Sequence, residues 1–114
     1  MSLHAAALSL CDEVERLIQK GGDFLRMPEL QSTRGYCLAA AGRLEESEKS
    51  FLAGIDLARS QGVKSGQLRA VVELASQLTR SGRREEARRL LRPLVADAGD
   101  ETSLDLSLAR NLLA

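Results

Sequence analysis

The sequence predicts an all-α chain, about six helices stacked as antiparallel hairpins, and three observations carry that expectation. The apolar mass is Leu and Ala, and the aromatics come down to Phe24, Tyr36 and Phe51, so helix-favouring residues dominate over those that strands need. Apolar residues recur at three- and four-residue spacings between punctuating glycines. The stretch around Gly42 returns around Gly82, an offset of 40 residues, which lies in the range of stacked helical hairpins. At 114 residues the chain has room for one domain with a single core.

Each helix is delimited by its own signals. The first is predicted over Leu3 to Lys20, with Leu10, Val14, Leu17 and Ile18 at helical spacing and Gly21-Gly22 as the stop. A connector through Phe24 leads to Pro28, which suits a first helical turn because its missing N–H is not needed there. Helix two is expected over Pro28 to Ala41, with Leu30, Cys37, Leu38 and Ala41 inward, and Gly42-Arg43 makes a tight turn. Helix three follows over Leu44 to Ser60, with Leu44, Phe51, Ile55 and Ala58 on its inner face and Gly62 closing it. Helix four, over Ser65 to Ser81, carries Leu68, Val71, Ala75 and Leu78, and Gly82-Arg83 turns again. Helix five, Arg84 to Ala98, buries Ala87, Leu90, Leu91, Leu94 and Val95, and its internal Pro93 should kink it or remove one backbone hydrogen bond. After Gly99-Asp100, the span from Thr102 to Asp105 matches a capping pattern that opens a last helix over Ser103 to Leu113.

The repeat is specific at the residue level. Gly35 to Ser47 aligns with Ala75 to Ala87: a small residue, Leu three later, Gly-Arg-x-Glu-Glu, then another small residue, with Phe51 and Leu91 at the next step. Small side chains let two helices approach, here Gly35 with Ser47 and Ala75 with Ala87, while Gly42 and Gly82 provide the corners. One hairpin cannot cover its own apolar face, so hairpins stack.

This pattern resembles the tetratricopeptide repeat over Pro28 to about Ala98, and the resemblance implies a right-handed α-α superhelix. More narrowly, Glu29-Leu30, Arg34-Gly35, Ala58 to Ser65 and Gly82 to Leu94 look similar to the C-terminal repeat arrays of bacterial ATPase-containing regulators and adenylate-cyclase-linked proteins. No GxxxxGK[ST] phosphate loop accompanies them, so ATP binding is not carried over. The expected division is a flanking helix and connector over 1–27, repeats over 28–62 and 63–99, and a capping helix over 100–114. The chain departs from the family pattern at Gln31 and Arg34, where bulky apolar residues are usual. It also begins with what resembles the second helix of a preceding hairpin. Three explanations stay open: a modified cap, the tail of a longer array, or a homodimer through the first helix.

The resemblance also implies a function, that of a scaffold binding a protein or peptide along the concave surface formed by the first helix of each hairpin. The corresponding positions are Glu29, Ser32, Tyr36, Ala39 and Ala40 on helix two, and Arg69, Val72, Ser76, Thr79 and Arg80 on helix four. Ser32, Tyr36, Val72 and Ser76 replace the Lys and Asn with which chaperone-type relatives hold a terminal carboxylate, so that ligand is not expected.

Composition narrows the remaining classes. Sixteen basic and sixteen acidic residues cancel, so no global field draws nucleic acid or anionic lipid. The alternative reading is a small nucleic-acid-binding module that uses Arg80, Arg83, Arg84, Arg88, Arg89 and Arg92. Against it, these residues fall on the solvent face of an amphipathic helix where Glu85 can pair with Arg89, and no interleaved aromatic offers a base a stacking surface. No run approaches a membrane span, and Ala5 to Cys11 lacks the flanks of a signal peptide. The lone Cys11 and Cys37 read as small buried thiols of a cytoplasmic protein. His4, the single histidine, has no nucleophile motif near it, and Glu45-Glu46 and Glu85-Glu86 recur with the repeat as turn residues. No enzyme, cofactor or metal site is expected.

Overall fold

The computed structural model describes residues 2–114, and they form six α-helices joined by short turns. These are α1 (Leu3–Gly21), α2 (Met27–Ala40), α3 (Leu44–Gln61), α4 (Lys64–Arg80), α5 (Arg84–Ala98) and α6 (Leu104–Leu113). The connector before α2 adds one 3-10 turn, Phe24–Arg26. Consecutive helices pack on one another, α2 also touches α4, and α6 lies across α4 and α5.

The two expected corners have one geometry. Gly42 and Gly82 both sit at φ +80°, a backbone region that side chains rarely enter. At the first corner the Gly42 and Arg43 amides donate to Ala39 and Leu38 carbonyls at 3.0 and 2.9 Å. At the second, Gly82 and Arg83 donate to Thr79 and Leu78 at 3.1 and 2.8 Å. An arginine clasps a glutamate three residues on at each, Arg43 with Glu46 at 2.9 and 2.5 Å and Arg83 with Glu86 at 3.0 and 2.6 Å. Arg83 reaches Glu48 of α3 as well.

Close packing inside each hairpin follows the small residues. Ser47 is fully buried and its hydroxyl donates to the Gly35 carbonyl at 2.7 Å. Phe51 lies against Gly35, where an added Cβ would meet its ring at 2.9 Å. In the second hairpin Ala75, Ala87 and Leu91 are buried at the matching positions. The main core joins Phe51 and Ile55 of α3 to Val71, Leu74 and Leu78 of α4, Leu91 of α5 and Ala109 of α6.

The first helix continues the same beat. Gly22 ends α1 at φ +78° and Gly62 ends α3 at φ +72°. Carried back by the repeat offset, buried Phe51 maps onto buried Cys11, and buried Ser50 and Gly54 map onto Leu10 and Val14, which are exposed. An added Cβ on Gly54 would meet the Pro28 carbonyl oxygen of α2 at 3.1 Å. The face that α3 buries against α2 is therefore the face that α1 leaves open.

Between α1 and α2 the repeat trades apolar contact for polar contact. Ile55, Val71 and Leu74 at the α3–α4 junction have Glu15, Gln31 and Arg34 as their counterparts. Arg34 forks to Glu15 and Asp12, each at 3.0 Å, and Gln31 donates to Glu15 at 3.2 Å. Gln31 and Arg34 thus form a clamp on α1.

One local expectation changes. The cap of α6 is Ser103, whose hydroxyl accepts from the Leu106 amide at 3.1 Å, rather than Thr102. At Pro93 the second of the two expected effects holds: α5 stays a single helix, Arg84–Ala98, without the bond that the Arg89 carbonyl would accept. Among the described residues no helix is long and apolar enough to cross a membrane.

Candidate functional site

A groove of about 710 Å³ runs between α2 and α4. Glu29, Ser32, Thr33 and Tyr36 form one wall and Ser65, Gly66, Arg69, Ala70 and Glu73 the other. Leu25 and Pro28 of the connector end, Ala58, Gln61 and Val63, and Asp105 of α6 complete the lining. Gln61 donates to the Phe24 carbonyl at 2.7 Å, which ties the end of α3 to the connector and fixes that end of the groove.

Tyr36 is the aromatic feature of this surface. Its ring meets Phe51 edge-on, centroids 5.2 Å apart at 90°, a geometry favoured by the ring quadrupoles. The residue is nevertheless 43% exposed, so a core contact holds a ring that still faces solvent. Burial, and then the Glu73 carboxylate, push its phenol above the ordinary value, against the opposing pull of Arg80 and Arg69.

The walls carry opposed charges of unequal number. Glu29, Glu73 and Asp105 line the groove with Arg69 as the one cation. Arg69 reaches one Glu73 oxygen at 3.4 Å. The other oxygen of Glu73 is buried without any hydrogen-bond donor.

Of the ten positions expected to form the binding surface, the structure brings Glu29, Ser32, Tyr36 and Arg69 together on this groove. Ala39, Ala40, Ser76, Thr79 and Arg80 lie nearer the Gly42 and Gly82 corners, outside its lining. The Thr79 hydroxyl donates to the Ala75 carbonyl at 2.8 Å, and Arg80 leans on Gln77 at 3.4 Å. Val72 is 4% exposed and belongs to the core, because α4 is covered by neighbours on both sides of that position. Sequence reasoning missed Glu73 and Asp105. Glu73 sits one turn after Arg69, a legible signal, whereas Asp105 arrives only because α6 folds back.

The other sequence candidates are accounted for locally. Glu85 pairs with Arg88 at 3.7 Å and Arg92 at 3.4 Å, not with Arg89. Burial and the neighbouring Cys37 raise the Cys11 thiol above its ordinary value, the opposite of an activated nucleophile. Among the described residues no cluster of three His, Cys, Asp or Glu could hold a metal. Comparison with protein-family models, curated proteins and solved structures finds no match to the chain.

Proposed function

We infer that the chain is a protein-interaction scaffold whose α2–α4 groove receives an extended peptide or a helix of a partner protein. The observation that carries this is the groove itself, walled by the first helices of two like hairpins with a half-exposed Tyr36 fixed on the core. A rigid aromatic amid a few polar groups costs little entropy to engage and anchors recognition. We take the hairpins as tetratricopeptide-like on the equivalence of the Gly42 and Gly82 corners. A place in a bacterial signalling or transcriptional regulator rests on that resemblance alone, and no reaction is assigned. The nucleic-acid alternative is weakened by the pairing of Arg83, Arg88 and Arg92 with glutamates.

Selection of a displayed peptide library on the full chain tests the groove. Enriched peptides should lose about tenfold or more in affinity for Tyr36→Ala and Arg69→Ala variants, the loss expected for an interface anchor. Unchanged affinity for both variants would refute the groove.

A second copy is the proposed cover for the open face of α1. Leu3, Leu10 and Leu17 recur every seven residues with Val14 between them, and the first three are 84%, 63% and 62% exposed. An antiparallel pairing that sets Val14 against Leu17 of the other copy also brings Glu13 opposite Lys20 twice, so charge supports the same register. Sedimentation equilibrium should show a dimer that Leu10→Glu converts to a folded monomer. A wild-type chain that stays monomeric at high micromolar concentration rules the pairing out.

A further inference from the structure

Three polar contacts fix the register in which α1 and α2 face each other. Glu15 accepts from Gln31 at 3.2 Å and from Arg34 at 3.0 Å, and Asp12 accepts from Arg34 at 3.0 Å. The earlier residue of α1 meets only the later residue of α2, so the two helices run antiparallel. One turn toward the start of α1 is then matched by one turn toward the end of α2. Cys11 lies four residues before Glu15, and Cys37 lies three residues after Arg34. The clamp therefore sets the chain's two thiols opposite each other at one level of the junction. Their contact shows at Cys11, whose thiol is raised first by burial and then by Cys37.

The surroundings divide the roles between the two sulfurs. Cys11 is 4% exposed and packs with Ile18 and Leu30, whereas Cys37 is partly open to solvent. An oxidant in solution meets Cys37 first. We propose that Cys11 and Cys37 are a redox pair, closed by a peroxide into an intramolecular disulfide that staples α1 to α2. The Cys37 thiolate attacks one peroxide oxygen, the O–O bond breaks, and hydroxide departs to leave a sulfenic acid. The Cys11 sulfur then attacks the Cys37 sulfur, the S–O bond breaks, and the departing hydroxide leaves as water with the Cys11 proton. Two thiols lose two electrons, and one peroxide gains them and ends as two waters. A thiol reductant reverses the bond by exchange. The consequence falls on α1, which is fastened by the polar clamp and by the small cluster of Cys11, Ile18, Leu30 and Met27. A covalent tie at that junction restrains the opening of α1.

The test treats the reduced full chain with excess hydrogen peroxide, denatures it and measures its intact mass. The expected product is a single chain lighter by two hydrogen atoms, from which trypsin releases residues 1–16 joined to residues 35–43. Amide exchange in α1 should slow by about thirtyfold or more, the low end of what such a cross-link contributes, and recover on reduction with dithiothreitol. The Cys11→Ser variant lacks the second thiol and should instead gain oxygen at Cys37, as sulfinic or sulfonic acid. An unchanged mass, oxygen gained at Cys37 in the wild-type chain, or two chains joined through Cys37 each overturns the pair. Faster exchange in α1 after oxidation overturns it too, because the bond would then form only by forcing the helices out of register.

Discussion

A Cβ built on Gly35 would stand 2.9–3.0 Å from three ring atoms of Phe51, a ring with no exposed surface and no room to retreat. In the second hairpin the matching pair is Ala75 with Leu91. The first hairpin thus sets no side chain beside a large ring, and the second has a methyl group and a smaller branched chain at the matching positions, both fully buried. Gly35→Ala should destabilise the fold by about 1–3 kcal/mol through overpacking, despite the better helix propensity of alanine. Phe51→Leu alone leaves a void. Combined with Gly35→Ala it recreates the second hairpin's pair, and the double variant should cost less than the two single changes together. Urea denaturation of the four proteins measures the coupling, and strict additivity would show that the two sites do not meet. Gly35 was legible in the sequence as a close-contact position because small residues recur on both sides of each corner. That Phe51 is the group it accommodates was not, since a helical repeat does not say which side chain crosses a hairpin.

Polar and apolar versions of one helix junction stand side by side in this chain. Ile55 meets Val71 and Leu74 within the α3–α4 core, whereas Glu15 meets Gln31 and Arg34 between α1 and α2. The Arg34 side chain is 14% exposed, so its two carboxylate partners offset a real desolvation cost. Truncation to Arg34→Ala leaves Glu15 with Gln31 as its remaining partner and should loosen α1 by about 1.5–3 kcal/mol, the range for hydrogen bonds to charged groups. Amide exchange should then accelerate in α1 and remain slow in α4. Replacing both partners, Glu15→Ile with Arg34→Leu, copies the apolar junction and should be neutral or stabilising. A double variant weaker than Arg34→Ala would show that the clamp contributes more than an apolar junction can. The departures at Gln31 and Arg34 were visible as anomalies in the sequence. Their role was not, because their partners lie on another helix.

Acid stability is a property of the molecule as a whole, and the two corners contribute to it jointly. Glu46 and Glu86 are held below their ordinary value of 4.5 chiefly by hydrogen bonds from Arg43 and Arg83. A carboxylate with a depressed folded value stabilises the fold above its unfolded value and loses that contribution as pH falls through the folded one. The urea midpoint should therefore decline as pH drops below 4.5, and decline less in the Glu46→Gln, Glu86→Gln variant. Both carboxylates are half-exposed, so a small difference at moderate salt is expected. Identical pH profiles for the two proteins would mean that the corner pairs do not bear on global stability.

Composition, spacing and the repeat around Gly42 and Gly82 determined the helices, their order and their corners, because these depend on interactions within a few residues along the chain. Tertiary structure decided everything that needs two distant segments. It moved Val72 from groove to core, brought Asp105 of α6 into the lining, and left the apolar face of α1 open where α3 buries the same face. It also placed the Glu73 carboxylate in a groove with Tyr36, a juxtaposition that no spacing on one helix could announce. Local periodicity states which face of a helix is apolar, and only the packing of its neighbours states which part of that face is covered.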